Sequence, residues 1–197
     1  MKKTNNNIRL DRSKSKFPAL DAAVLYFALY SIIGWCYEVF LEVVVYQWGF
    51  TNRGVLFGPY CPVYGVGALA FILLVYPLIK GRPVKERLIR IPLVFLLSML
   101  IATSLELATS YILEAITGSW PWQTYLDYKI NFQGRIALSP SVRFGLGGVL
   151  FLYVLQPLFE KLHSFIIARG GVKAPRIVAL VIALVFALDL AATILFR

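Results

Sequence analysis

Long apolar stretches set the strongest limit on what this chain can fold into. An α-helix needs about 20 predominantly apolar residues to cross a bilayer, and several stretches of the chain are near that length. They cover residues 22–48, 63–79, 91–116, 142–159 and 177–196. Because 59% of the 197 residues are hydrophobic, the chain also has more apolar surface than a soluble domain of this size buries. The sequence predicts an all-α integral membrane protein with about five transmembrane helices.

Basic residues are placed asymmetrically around these stretches. Lys and Arg concentrate before the first stretch, between the second and third, and between the fourth and fifth. Since short cytoplasmic loops carry an excess of basic residues, the N-terminus is expected inside and the C-terminus outside. The net charge of +10 does not indicate nucleic-acid binding, because the basic clusters lack interleaved aromatic residues. We expect residues 1–20 to form a basic, disordered cytoplasmic tail and residues 21–197 a single transmembrane domain, whose first stretch stays as an anchor.

One pattern of residues occurs twice. Each copy has a long stretch with two glutamates, an aromatic exit, an Asn followed by Gly, a Pro, and a Gly-x-Gly that opens the next stretch. The first copy has Glu38, Glu42, Trp48, Asn52, Gly54, Pro62, Gly65 and Gly67. The second copy has Glu106, Glu114, Trp120, Asn131, Gly134, Pro140, Gly145 and Gly147. Both copies run outward and back, so they predict a parallel internal repeat of a two-helix unit, followed by a fifth span.

Glutamates inside the predicted spans carry the sharpest functional signal. A carboxylate near the bilayer centre costs about 3 kcal/mol on insertion scales and normally faces the bundle interior or a wet cavity. At 100° per residue, two spans carry polar stripes: Ser31, Trp35, Glu38, Glu42 and Tyr46 on the first, and Thr103, Glu106, Ser110, Glu114 and Thr117 on the third. These acids, with Asp189 of the last span, lie at or beyond the middle of their spans toward the outside. We therefore predict a polar cavity in the outer half of the membrane, walled by spans one, three and five. The candidate substrate-binding or translocation residues are Glu38, Glu42, Glu106, Ser110, Glu114, Trp35, Asn52 and Asn131.

Three arginines flank the acidic stripes and offer a competing interpretation. Arg53, Arg135 and Arg143 lie just outside the stripes, and guanidinium groups hold carboxylates bidentately in dry surroundings. If such pairs are permanent, the glutamates fasten the outer loops to the helices. If they open, the same residues form a gate. The sequence leaves both alternatives open.

The segment NRGVLFGPYCPVYGVG, residues 52–67, interrupts the apolar regularity. Its candidate break positions are Gly54, Gly58, Pro59, Pro62 and Gly65. Gly permits unusual dihedral angles and Pro ends a helix, so the segment fits a discontinuous helix that dips into the bundle. A tight outer loop with Gly and Pro as turn residues is the alternative.

Catalytic and metal-binding patterns are weak. Cys36 and Cys61 lie at different predicted depths, which argues against a disulfide, and the single His163 cannot supply a bis-His haem site. The chain has no phosphate-binding G-x-x-x-x-G-K-[ST] loop and no H-E-x-x-H motif. We expect no metal, no cofactor and no enzymatic activity. A membrane-embedded enzyme that uses paired carboxylates on a lipid is the less favoured alternative.

Four segments together resemble a known family. YSIIGWCYE, NRGVLFGPYCPVYGVGAL, LELATSYILE and NFQGRIAL are similar to the bacterial membrane family called ABC-transporter type IV, or CmpB-like. The resemblance runs from Tyr30 to Gly148 and leaves the N-terminal tail and the last span outside. The family has a Trp-Asp-Tyr-Ser element where this chain reads YLDYKINFQG. Asp127 and Tyr128 match it, whereas Leu126 and Lys129 replace the Trp and Ser.

The resemblance implies a permease or substrate-binding subunit in the bacterial cytoplasmic membrane. An ABC role would require a separate cytoplasmic ATPase, for which residues 80–90, KGRPVKERLIR, are the best candidate surface. A homo-oligomer is left open, and the lipid bilayer is the one partner that the composition requires. The alternative function is a structural or regulatory membrane subunit, in which the acids join helices and the activity lies in a partner.

Overall fold

A computed structural model describes residues 19–196. The main helices are α1 Leu20–Phe40, α2 Pro62–Leu74, α3 Val84–Ile89, α4 Ile91–Thr117, α5 Leu138–Leu150, α6 Gln156–Gly170 and α7 Ala174–Phe196. Two π-helical turns, Leu41–Val45 and Phe151–Leu155, extend α1 and join α5 to α6. Short 3-10 turns occur at Tyr76–Leu78 and Gln123–Asp127, and the two-residue strands β1 Asn131–Phe132 and β2 Ile136–Ala137 pair antiparallel.

Length and hydropathy identify the helices that can cross a membrane. Within residues 19–196, four are long and apolar enough: Leu20–Val45, Ile91–Thr117, Leu138–Gly170 and Ala174–Phe196. The helical segment Pro62–Leu78 is apolar but shorter. With 76% of the described residues helical, the prediction of an all-α membrane protein is confirmed. The orientation of the termini and the internal repeat stay predictions, and the predicted basic tail falls almost wholly outside the described residues.

The fourth predicted span differs most from the structure. The sequence predicts this span at residues 142–159, but the continuous helix covers Leu138–Gly170. It begins earlier because Pro140 lies in the first turn, where a missing backbone N–H costs no hydrogen bond. It ends later because Glu160, Lys161 and His163 interrupt the apolar run without interrupting an amphipathic helix. The sequence does not predict the π-helical turns, because one extra residue in a turn hardly changes the spacing of the apolar residues.

The described chain divides into two compact units. The first contains the described residues through Leu69 together with those from Pro157 onward, and the second contains residues 70–156. In the first unit, α1 packs on α7 through Phe27 and Phe186, whose ring centroids are 5.3 Å apart. Helix α6 packs on α1 through Phe159 and Tyr30, at 5.0 Å. His163 of α6 is buried, with its Nε2 atom 3.8 Å from the buried Asp21.

In the first unit, the chain folds back along α1 before the next helix starts. The Cys61 amide donates a hydrogen bond to the Ser31 carbonyl, at 2.9 Å, and α2 begins at the next residue. Ser31 lies about four helical turns before Val45, where the helical segment ends. Between Val45 and Cys61 the chain therefore runs back by about 21 Å along α1. Helix α2 then runs antiparallel to α1, since Cys61 lies beside Ser31 and Gly65 lies beside Phe27. The two helices are close together, because a Cβ atom at Gly65 would lie 2.6 Å from the Phe27 carbonyl oxygen.

The second unit contains a similar return. Gly118 ends α4 in the left-handed conformation, with φ of 79°, and the chain passes through the small hairpin before α5. The Thr103 hydroxyl donates to the Ser141 hydroxyl oxygen, at 2.8 Å, which places the start of α5 beside the middle of α4. Thr103 lies about four turns before Thr117, so this return is also about 21 Å.

Candidate functional site

Glu42 is the centre of a polar cluster in the first unit. It lies in the π-helical turn after α1 and is buried. Its carboxylate forms an ion pair with Arg53, with Nη2 2.9 Å from Oε1 and Nε 3.0 Å from Oε2. The Thr51 hydroxyl donates to Oε1 at 2.6 Å, and the Thr51 amide to Oε2 at 3.2 Å. Both carboxylate oxygens are thus satisfied by residues of the segment that follows α1.

Arg135 is the centre of a polar cluster in the second unit. Its side chain is only 8% exposed and forms an ion pair with Glu114. The guanidinium carbon lies 4.1 Å from the ring centroids of both Tyr111 and Trp120, a cation–π arrangement on two rings. Its Nη1 atom also lies 3.4 Å from the Ser110 hydroxyl oxygen. The returning hairpin is therefore held to α4 by a buried cation.

The other two glutamates have tyrosine partners. The Tyr64 hydroxyl donates to Glu38 Oε1, and the Tyr125 hydroxyl donates to Glu106 Oε1 at 2.8 Å. Among the residues that the structure describes, neither carboxylate has a Lys, Arg or His partner within ion-pair distance. The Glu106 Oε2 atom is buried and has no hydrogen-bond partner within residues 19–196.

Asp189 of α7 holds the broken segment in place. It accepts hydrogen bonds from the Phe57 amide at 2.9 Å, the Gly58 amide at 2.8 Å and the Tyr60 hydroxyl. The Thr193 hydroxyl adds a longer contact at 3.3 Å. Among the residues that the structure describes, this carboxylate inside an apolar helix is thereby satisfied without a basic partner, because backbone N–H groups that no helix uses point at it.

The two candidate asparagines organise their own loops. Asn52 Oδ1 accepts from the Trp35 indole at 2.8 Å, and its Nδ2 donates to the Phe57 carbonyl at 2.8 Å. Asn131 Oδ1 accepts from the Gly134 amide at 3.0 Å, and its Nδ2 donates to the Tyr128 carbonyl at 2.7 Å. These bonds are typical of turn-forming side chains.

The five break positions serve different local needs. Gly54 has φ of 97°, which favours glycine, and the Gly58 amide binds Asp189. Pro59 lies in the stretch that packs against α7, and Pro62 is the first residue of α2, where its missing N–H is not needed. Gly65 allows the close approach of α2 to α1.

Arg143 differs from the other two arginines. Its Nη2 atom donates to the Tyr128 hydroxyl oxygen at 3.1 Å and to the Ser139 hydroxyl oxygen at 3.2 Å. It lies one turn into α5, where it can reach its own helix and the preceding loop. Two of the three proposed arginine partners therefore meet a glutamate, whereas these two bonds of Arg143 go to hydroxyl groups.

Sequence reasoning missed the tyrosines and Thr51. Tyr60, Tyr64 and Tyr125 supply the neutral donors for Asp189, Glu38 and Glu106, but tyrosines near span ends are common as interfacial anchors. The one usable signal was the position of Tyr60 and Tyr64 inside the glycine- and proline-rich segment. Cys36 and Cys61 are free thiols. Within residues 19–196, no three acidic, His or Cys side chains come together as a metal site.

The family described as "Putative ABC-transporter type IV" matches residues 25–194. The chain belongs to this family. The match reaches into the last turn of α7, so the expectation that the last span lies outside the resemblance was wrong. The contacts of Asp189 explain why α7 belongs with the rest of the family pattern. This residue of α7 binds the amides of Phe57 and Gly58, which lie in one of the segments that carry the resemblance. Comparison with curated proteins and with solved structures finds no match. Family membership and the four long apolar helices identify a membrane component related to ABC transporters.

Proposed function

We propose that the chain is a permease or substrate-binding subunit of the bacterial cytoplasmic membrane, and that Glu38 and Glu106 are the carboxylates that meet its solute. The supporting observation is that the four glutamates of the two polar stripes have different kinds of partner. Glu42 and Glu114 have arginine partners, whereas Glu38 and Glu106 have only a tyrosine hydroxyl among the described residues.

The energetic cost of these two residues favours a functional role. An ionised carboxylate in a membrane-spanning helix costs about 3 kcal/mol on insertion scales, and a neutral hydroxyl donor offsets only part of that cost. A bound cation or a proton would neutralise the remaining charge. The proposed solute is therefore cationic, or protons move with it.

The arginine pairs then have a separate role. Each fastens a returning segment to the long helix before it, as the Glu42 and Arg135 contacts illustrate. Irregular backbone at membrane depth is tolerated only beside protein or water, which favours a wet polar cavity beside the returning segment of each unit. We place this cavity in the outer half of the membrane, with the arginine pair of that unit able to open as a gate.

Energy for transport would have to come from outside this chain or from an ion gradient. The sequence contains no phosphate-binding loop of the P-loop kind. An ATP-driven system would therefore include a separate cytoplasmic ATPase subunit.

A structural or regulatory subunit is the second candidate. It is favoured by the complete satisfaction of Glu42 and Asp189, which act as fasteners within their own unit. In that case Glu38 and Glu106 would also join helices, and no solute would contact them.

Charge movement across a supported membrane distinguishes the two candidates. Purified protein in liposomes is exposed to concentration jumps of Na⁺, K⁺, Mg²⁺, choline, spermidine and H⁺, and the transient current from binding of the cation, which requires no ATPase, is recorded. We expect a current for at least one of these cations, reduced about tenfold or more in Glu38→Gln and Glu106→Gln because a charged ligand contact is lost. Glu86→Gln is the matched control, since that acid is exposed and pairs with Arg82. Currents equal to those of empty liposomes, or unchanged in both variants, would contradict the proposal.

A further inference from the structure

Helix α3 exposes an apolar side next to the start of a long span. Val84, Leu88 and Ile89 are 69%, 57% and 69% exposed. Val84 and Leu88 are four residues apart and so share one side of the helix, with Lys85 on the adjoining arc. Only Arg90 separates α3 from α4, which begins at Ile91 and is long enough to cross a bilayer. If α4 crosses the bilayer, this apolar side lies at the membrane boundary.

The charge around α3 is strongly positive. Residues 80–90 contain five basic side chains and one acid. The acid, Glu86, pairs with Arg82 at 2.9 Å. Lys85, Arg87 and Arg90 remain as positive charges on or beside the helix. An apolar side with adjoining Lys and Arg is typical of helices that lie in a membrane interface.

The structure holds this helix in a fixed position. The Tyr153 hydroxyl donates to the Arg87 carbonyl at 2.6 Å, and the Arg87 guanidinium carbon lies 5.4 Å from the Tyr153 ring centroid. The exposed side chains are thus presented from a helix anchored within its own unit, so binding would require little further ordering.

We propose that the α3 surface, formed by Val84, Lys85, Leu88 and Ile89, binds anionic lipid. The apolar side chains enter the boundary between headgroups and acyl chains, and Lys85 extends its ammonium group to a lipid phosphate. A protein partner is less suitable as the occupant. A helix of six residues is only about 9 Å long, and its exposed side cannot by itself supply the roughly 1,000 Å² that a stable protein interface buries. This inference does not depend on the transport proposal.

Hydrogen exchange in nanodiscs tests the proposal on the full chain. The protein is placed in phosphatidylcholine alone and in an equal mixture with phosphatidylglycerol, and exchange is followed in peptides covering α3. We expect slower exchange in the anionic mixture. Lys85→Gln, which keeps a good helix former, should reduce that protection about fivefold, because one basic side chain near an anionic surface contributes about 1 kcal/mol.

Lys161→Gln is the matched control, with the same change of charge on an exposed residue of α6. It should leave the exchange of α3 unchanged. Equal exchange of wild-type α3 in the two nanodiscs would overturn the proposal. So would an equal effect of the two lysine variants.

Discussion

The guanidinium group of Arg135 forms an ion pair with the carboxylate of Glu114, 21 residues earlier in the chain. Arg53 pairs with Glu42 in the same sense, across 11 residues. In both units the arginine belongs to the segment that returns toward the middle of the preceding helix. Each pair has one buried partner, Glu42 or Arg135, which is costly to leave without its counter-charge. These pairs therefore help to fix how far each segment returns.

Loss of the Arg135 side chain should be strongly destabilising. Arg135→Ala leaves the Glu114 carboxylate without its partner and removes a cation that two rings cover. Because Arg135 is buried but the Glu114 side chain is 41% exposed, water compensates part of the loss, and the cost should be about 1.5–3 kcal/mol, as for hydrogen bonds to a charged group. Thermal unfolding in detergent measures the change. Arg82→Ala breaks an exposed pair with Glu86 and should cost less than about 1 kcal/mol; equal losses in the two variants would show that burial of Arg135 has no effect on stability.

The glutamates should separate into two classes when they are neutralised. Glu42→Gln leaves Arg53 without a charged partner and should cost about 1.5–3 kcal/mol, as expected for hydrogen bonds to charged groups. In Glu38→Gln and Glu106→Gln the amide oxygen still accepts from Tyr64 or Tyr125, so we expect a change within about 1 kcal/mol. Unfolding in denaturant or by heat measures all three. If Glu38→Gln and Glu106→Gln unfold as readily as Glu42→Gln, these two carboxylates are structural and the transport proposal is weakened.

The sequence identified the charged partners but not the neutral ones. Arg53 and Arg135 were recognisable because a carboxylate in an apolar helix needs a compensating group, and few basic residues lie close enough along the chain. Tyr64 and Tyr125 were not recognisable, because a tyrosine hydroxyl is equally suited to the membrane interface. The extension of the fourth helix beyond Phe159 was missed for a similar reason: polar residues there end an apolar stretch without ending the helix.

Glycines on α2 and α5 provide a test of the close helix contacts. A Cβ atom at Gly65 would lie 2.6 Å from the Phe27 carbonyl oxygen, and one at Gly145 would lie 2.6 Å from Phe95 Cε2. Gly65→Ala and Gly145→Ala should each lower stability by about 1–3 kcal/mol, because the Phe27 backbone in the first case and the Phe95 ring in the second must shift.

Two neighbouring glycines serve as matched controls for this test. A Cβ atom at Gly67 or Gly147 would have nothing within 4 Å. Gly67→Ala and Gly147→Ala should therefore leave stability unchanged or raise it by up to about 1 kcal/mol, since Ala is the better helix former. The prediction fails if the two members of a pair, measured by thermal unfolding, change by the same amount.

Asp189→Asn should release the broken segment from α7. The substitution replaces one carboxylate oxygen, which accepts hydrogen bonds, with an NH₂ group, which can only donate. At least one of the hydrogen bonds from Phe57, Gly58 and Tyr60 is therefore lost. Because Asp189 is only partly buried, the loss of one hydrogen bond costs about 1 kcal/mol, and hydrogen exchange of residues 55–61 should accelerate accordingly. Thr193→Val removes only the 3.3 Å contact within the helix and should leave that exchange unchanged. If Asp189→Asn also leaves it unchanged, Asp189 does not hold the segment, and the contacts of α2 with α1 must be sufficient to keep it folded back.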